Sequence, residues 1–464
     1  MSVSRWFSSV ALSVAALGVP AFADQAPAAP GDHPVLAALV EEALANNPDI
    51  QGAQESVRAA RNRPAQARSL PNPMLSSGYT NDGWGPTLGT QDMTTLAFMG
   101  SQDLPYPGKR RLRGEIAERE ADQVDQQLER VRLSVAARVR RGYHGLVLSR
   151  GLLELIREQE EVWKQIEGVA RARYVVGQGA QQDVLRVQIE VTRVEQLRVE
   201  QAAEVEIRVA ELNRLLDRPG TSPLETPASL TLRPLEETPE AVMQRIAALS
   251  PEVKSAGVGV ERARLAVDLA RKEYKPDISV QAGYMNRGGL DPMWQAGIGV
   301  SFPAYRKRIS SAVAEAEAQR LAGERLVASV RLQLRFRVQE RLAQLEATER
   351  IATLYGEGIV PQDRMSVDAA LANYQTGKVP FITVLEALTT LYNDRATHLA
   401  LLANHERIRA SLEEASLEET SGMAPAGGAG MPVGGSSLTM AGAGAGSTGG
   451  SGAMGGSGSS MSNR

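Results

Sequence analysis

Side chains able to do chemistry are few and scattered along this chain. The four histidines (33, 144, 398 and 405) make no pair at the i, i+4 spacing of a helical metal site, and His398 and His405 stand seven apart. There is no cysteine, which excludes disulfides, thiolate ligands, cysteine nucleophiles and a lipid carried on a cysteine. Gly177-Gln178-Gly179 is too short to cradle a phosphate, and Lys109 stands outside a Walker pattern. No catalytic, cofactor or metal site is expected, and hence no enzyme. Two carboxylates remain. Asp183 lies six residues past Gly177 and Glu386 nine past Gly377, each on the first turns of a predicted helix. Acidic groups there stabilise a helix start by about 0.3–1 kcal/mol. Repeated by cyclic symmetry, the same groups would form rings that favour cations over anions.

The elements that position these carboxylates occur twice. Tyr174, Gly177, Val184 and Leu185 recur 200 residues later as Tyr374, Gly377, Val384 and Leu385. Each glycine follows one long charged helical pattern and precedes another, as a C-cap does where the chain reverses. The flanks repeat as well. Ala248-Leu-Ser-Pro-Glu-Val matches Ala45-Asn-Asn-Pro-Asp-Ile, Gly283-Tyr-Met-Asn matches Gly78-Tyr-Thr-Asn, and Pro303–Arg308 matches Pro105–Arg110. The chain therefore reads as a tandem duplication, each half being helix, strand pair, long helix, turn and helix. The first half spans 24–216 and the second 248–420, joined by a proline-rich connector over 217–247.

Residues 1–23 read as a signal peptide: Arg5, the apolar run Phe7 to Val19, and Ala21-Phe22-Ala23 at the cleavage site. A net charge of −3 argues against nucleic acid as a partner. No later stretch of about 18 apolar residues offers a spanning helix. From Ser421 to Arg464 the chain is Gly, Ser, Ala and Met with one terminal charge, a composition that predicts disorder. Its five methionines carry soft thioethers suited to ions such as Cu(I), although a low-complexity tail with incidental methionine is the weightier reading.

The predicted first helix covers 35–46, and a second run from Asp49 to about Leu70 is kinked at Pro64. Short strands are predicted at Leu75–Thr80 and Met93–Gln102. The long helix runs from Arg111 to about Val176, roughly 100 Å at 1.5 Å per residue, and Gln181 to about Leu216 returns. In the second half Ile278, Val280, Ala282 and Tyr284 alternate with polar or glycine positions, and so do Trp294, Ala296, Ile298, Val300 and Phe302. Period two over nine residues suits a tilted membrane strand. Aromatics gather in these windows, as interfacial girdles require. The helices carry narrow stripes, such as Val327, Val330, Leu334, Val338, Leu342 and Leu345, or Leu385, Leu388, Tyr392, Ala396, Leu399 and Ala403. Such stripes suit helices packed side by side around a wet interior.

Four strands cannot close a membrane barrel, which needs about eight. Copies must pool them, eight from a dimer or twelve from a trimer. The duplicated plan, the two Tyr-x-x-Gly-x-x-x-x-x-x-Val-Leu turns and the run Val384-Leu-Glu-Ala-Leu-Thr-Thr-Leu-Tyr-Asn393 resemble the TolC-like outer membrane efflux proteins over about residues 36–412. The Pro-Gly-Lys-Arg-Arg-Leu-Arg run at 107–113 is similar to the subset working with heavy-metal pumps.

The resemblance implies a mainly α-helical protein with a small transmembrane β part. It implies a homotrimer with a twelve-stranded barrel in outer membrane lipid, continued by a long periplasmic α-helical barrel. A periplasmic adaptor (membrane fusion) protein would join it to an inner-membrane pump of RND type. By the same resemblance Tyr174, Gly177, Tyr374 and Gly377 mark the periplasmic tip that meets the adaptor. Asp183, Thr383 and Glu386 fall at the constricted entrance, and Tyr374 matches the tyrosine of the closing contacts. The chain departs from the best-known member at Val379, where that protein has arginine, and at Thr383, where it has aspartate. Part of the polar latch is thus missing. An exported helical scaffold or adhesin is the alternative, and it leaves the paired strands of both halves unexplained. N-terminal sequencing of membrane-purified protein is expected to begin at Asp24, and recovery of Met1 would overturn the exported reading.

Overall fold

Two runs of helix, each dozens of residues long, set the dimensions of the molecule. The computed structural model describes residues 34–227, 230–235 and 237–414. The expected signal peptide and the Gly/Ser/Met tail lie outside the described residues. The chain opens with α1 (Pro34–Asn46), α2 (Pro48–Arg61) and α3 (Arg63–Arg68). Asn47, buried, serves two helices at once. Its Oδ1 accepts from the Asp49 amide at 2.9 Å, starting α2, and its Nδ2 donates to the Leu215 carbonyl at 2.9 Å. The break expected as a kink at Pro64 falls two residues earlier, at Asn62. Proline lacks an N–H and disfavours helical geometry in the residue before it, so α2 closes before Pro64, which then sits in the first turn of α3.

Next come β1 (Met74–Thr80), β2 (Thr95–Leu104), the 67-residue α4 (Lys109–Val175) and its return α5 (Gln181–Leu215). The second half follows with α6 (Pro239–Leu249), α7 (Pro251–Lys272), β3 (Asp277–Arg287), β4 (Leu290–Ser301) and α8 (Arg306–Leu354). Here the halves differ. A π-helical turn at Tyr355–Ile359 separates α8 from α9 (Val360–Gln375), before the return helix α10 (Phe381–Glu413). Pro361 cannot donate to a carbonyl four residues back, and Gly356 and Gly358 hold helical geometry weakly, so the backbone widens at this point.

All four strands form one antiparallel sheet in the order β1-β2-β3-β4. The central pairing joins the two halves, from Leu96 opposite Asn286 to Leu104 opposite Ile278. Phe98, Tyr284 and Trp294 are successive cross-strand partners, and the Tyr284 and Trp294 rings lie 5.0 Å apart. Among the described residues the outer edges of β1 and β4 are unpaired. Among the described residues, no helix is long and apolar enough to cross a membrane.

The apolar core is split between the halves. Leu36, Leu39 and Val40 of α1 pack with Val135, Tyr143 and Leu146 of α4 and Leu212 of α5. In the second half Val242 and Ile246 of α6 pack with Leu334, Val338 and Leu345 of α8 and Ile408 of α10. The predicted stripe on α8 is therefore the buried face. Leu388, Tyr392 and Ala403 of the α10 stripe are buried too.

One ion pair fastens sheet to helices. Lys109, 1% exposed, reaches both Asp277 carboxylate oxygens at 3.0 Å and Glu273 at 3.4 Å. Asp277 also accepts from the Tyr106 amide at 2.7 Å. The start of α4 in one half is thus tied to the start of β3 in the other. Lys109→Ala is expected to cost about 1.5–3 kcal/mol, the range for hydrogen bonds to charged groups, seen as an earlier thermal unfolding midpoint in detergent. An unchanged midpoint would mean that water replaces the ammonium without loss.

Candidate functional site at the two interhelical turns

The turns after α4 and α9 close alike, atom for atom. Gly177 and Gly377 both have φ +75°, a left-handed conformation in which a side chain is strained. The Gly177 amide donates to the Tyr174 carbonyl at 3.0 Å and the Gln178 amide to the Arg173 carbonyl at 2.8 Å. In the second half Gly377 donates to Tyr374 at 2.9 Å and Lys378 to Asn373 at 2.8 Å. These paired bonds are the Schellman motif, and they satisfy carbonyls that a helix end otherwise leaves open.

What the turns carry is not alike. Tyr174 is 47% exposed, whereas Tyr374 is 2% exposed. The buried tyrosine lies between the two turns. Its hydroxyl donates to Asp183 Oδ2 at 3.3 Å, and its ring meets Phe381 edge to face with centroids 5.5 Å apart. The Arg173 guanidinium lies over the ring, 4.5 Å from its centroid. The same guanidinium donates to the carbonyl of Tyr374 and, at 3.0 Å, to that of Gln178. Arg173 therefore holds its own turn and the turn 200 residues away. Burial, with the nearby Asp183 charge, raises the Tyr374 pKa against the opposing pull of Arg173. Its phenol remains a donor at neutral pH.

The expected site residues thus separate into two groups. Asp183 and Tyr374 are brought together. Thr383 is half-buried in the first turn of α10, its amide bonded to the Pro380 carbonyl at 3.2 Å. Glu386 is exposed on the second turn of α10. Tyr174, Val175 and Val176 form an exposed apolar end of α4. Arg173 and Phe381 were not expected from the sequence. Asn373 and Gln181 stand at their counterpart positions, so comparison of the halves passes over both. A lone arginine at the end of a helix also reads as an ordinary partner of the helix dipole. The arrangement offers no nucleophile and no acid–base pair. Among the described residues no group of three or more His, Asp or Glu could hold a metal ion. Its chemistry is a polar and aromatic clasp between two hairpins.

A family model described as outer membrane efflux protein matches residues 39–218 and 242–416. This chain belongs to that family. It is accordingly an outer membrane efflux channel with a large periplasmic helical portion. The scaffold reading is set aside. Among curated relatives, the cobalt-zinc-cadmium resistance protein CzcC of Cupriavidus metallidurans is 22% identical over 371 residues, 79% of this chain and 86% of that protein. The nickel-cobalt-cadmium resistance protein NccC of Alcaligenes xylosoxydans xylosoxydans is 24% identical, covering 69% of this chain and 72% of that protein. Among solved structures, the CusC channel superposes with a TM-score of 0.67 at 18% identity, covering 82% of this chain and 91% of that one. VceC of Vibrio cholerae gives 0.69 at 19%, covering 82% and 95%. These two share the fold.

In this efflux channel the clasp has graded parts. Tyr374→Phe removes one hydrogen bond, worth about 0.5–1.5 kcal/mol. Tyr374→Ala also empties the space between Phe381 and Arg173, at a cost of about 3–5 kcal/mol by analogy with other aromatic truncations. Hydrogen exchange of the Phe381–Leu388 amides is expected to quicken in that order. Equal rates in both variants and the parent protein would refute the clasp.

Proposed function

We propose that three copies of this chain assemble into the exit duct of a tripartite efflux system for heavy-metal cations. The observation that carries the assembly is the four-stranded sheet whose β1 and β4 edges are unpaired among the described residues. Hydrocarbon does not tolerate unsatisfied backbone groups, so the edges must pair with other copies. Twelve strands from three chains close a barrel of ordinary size. Below it, α4, α5, α8, α9 and α10 continue as the periplasmic α-barrel. The mature chain comprises repeats 24–216 and 248–420 about the connector 217–247, following a signal peptide over 1–23, and ends in the tail over 421–464.

The two interhelical turns then lie at the periplasmic tip. Tyr174, Gly177, Tyr374 and Gly377 meet a periplasmic adaptor, which couples the duct to an RND-type inner-membrane pump. The exposed apolar end formed by Tyr174, Val175 and Val176 suits such a contact. Asp183, Thr383 and Glu386 surround the entrance. Threefold symmetry repeats each carboxylate three times, and such rings favour cations. Two relatives named for resistance to divalent metals support a metal cargo.

Asp183→Ala combined with Glu386→Ala is expected to lower cation selectivity in planar bilayers, moving the reversal potential toward zero across a salt gradient while the trimer persists. An unchanged reversal potential would remove both residues from ion selection and leave Asp183 as the acceptor of the Tyr374 hydroxyl. A stable monomer in native mass spectrometry would sink the assembly itself.

A further inference from the structure

The sheet meets the helices through four segments, at residues 63–73, 105–113, 270–276 and 302–308. Together they carry twelve lysines and arginines and a single carboxylate, Glu273. All four adjoin the same end of the sheet, since Met74 pairs opposite Ser101 and Asp277 opposite Ser301. The other end is different. There the loop 81–94 and the turn 286–291 hold Asp82, Asp92 and Asp291, and their one cation, Arg287, is bonded to Asp92.

The cations are placed against local preference. Helix N-termini attract acidic groups, yet neither α4 nor α8 has an acidic residue in its first turn. Instead α4 opens with Lys109, Arg110, Arg111 and Arg113, and α8 with Arg306, Lys307 and Arg308. Lys109 is consumed by Asp277 and Arg111 pairs with Glu115 at 3.1 Å. Arg306, Lys307 and Arg308 are all exposed, and among the described residues none of them has a carboxylate within 4.0 Å. Within one helical turn of them lie Phe302, 76% exposed, and Tyr305, 80% exposed. Exposed aromatic rings followed at once by exposed cations are the arrangement of a membrane–water interface.

We infer that these segments form a cationic collar that binds the phosphate headgroups of anionic phospholipids in the periplasm-facing leaflet. The inference rests on the membrane placement of the sheet proposed above. Headgroup phosphates supply the negative charge that the sequence withholds from both helix starts. The phenylalanine and tyrosine rings set the depth at which the cations meet them.

The test uses the full-length channel in mixed micelles holding equal phosphatidylglycerol and phosphatidylcholine, with retained lipids counted by native mass spectrometry. The parent protein is expected to keep phosphatidylglycerol preferentially. Neutralising Arg110, Arg111, Arg113, Arg306, Lys307 and Arg308 to Gln is expected to lower that preference by more than about tenfold. Arg306→Gln, Lys307→Gln and Arg308→Gln alone serve if the six-fold variant does not assemble. Arg306→Lys with Arg308→Lys is expected to retain the preference, and added inorganic phosphate is expected not to displace the lipid. Equal retention of both lipids by the parent would overturn the proposal. So would undiminished phosphatidylglycerol in the neutral variants, or displacement by free phosphate. Planar-bilayer conductance of the same preparation reads the channel separately. A non-conducting parent that keeps its lipid preference would sink the channel and leave the collar standing.

Discussion

Neither half of this chain can satisfy its strands alone, and the pairing of β2 with β3 is where each half is completed by the other. A two-stranded hairpin is marginal in isolation. Joined along Leu96–Leu104 and Ile278–Asn286, the two hairpins become one continuous sheet with a single register. Everything below inherits that register. Lys109 locks the start of α4 to Asp277 at the start of β3, so the helices of both halves leave the sheet from fixed positions. At the far end, Arg173 and Tyr374 fasten the two turns to one another. The long helices are held at both ends and packed by narrow stripes between.

Those stripes leave room for polar groups in the helical part, and the structure uses them as fasteners. Glu406 on α10 lies near His405 and, across the interface, near His144 of α4, at 3.6 and 3.9 Å. Burial alone would raise its pKa. The neighbouring His405 imidazole and the charge of Arg409 outweigh that, so the carboxyl sits below its ordinary range and stays ionised. Arg141 bonds Glu414 at 2.6 Å, and Arg341 donates to the Ser411 carbonyl, which ties down the last turn of α10. Buried charges of this kind fix position more than they add stability.

Repetition made the plan legible. Tyr-x-x-Gly recurring after charged helical runs announced two reversals, and both glycines have the same backbone conformation. Period-two alternation located β3 and β4, although β3 runs on to Arg287 and β4 covers Leu290–Ser301, starting earlier and leaving out Phe302. What comparison of the halves could not reveal is where they diverge. Tyr174 and Tyr374 match in sequence, yet one is exposed and the other buried, because burial was decided by Arg173 from the other half and by Phe381 across its own turn. Neither partner is repeated. The break at Asn62 and the π-helical turn before α9 were missed for a related reason. Each is a backbone response to a proline two to six residues further along, and the proline marks the disturbance without marking its exact place.

The π-helical turn has a geometric consequence. The first leg between sheet and tip is a single helix of 67 residues, whereas the second is built of 49, 5 and 16. The second leg is therefore longer in residues, yet both must arrive level, since Arg173 reaches across to the Tyr374 carbonyl. A wider turn takes up more chain per ångström of height. Tyr355–Ile359 acts as slack in a taut rope: it takes up part of the surplus in one leg, so that two strings of unequal count come nearer to being tied off at the same knot.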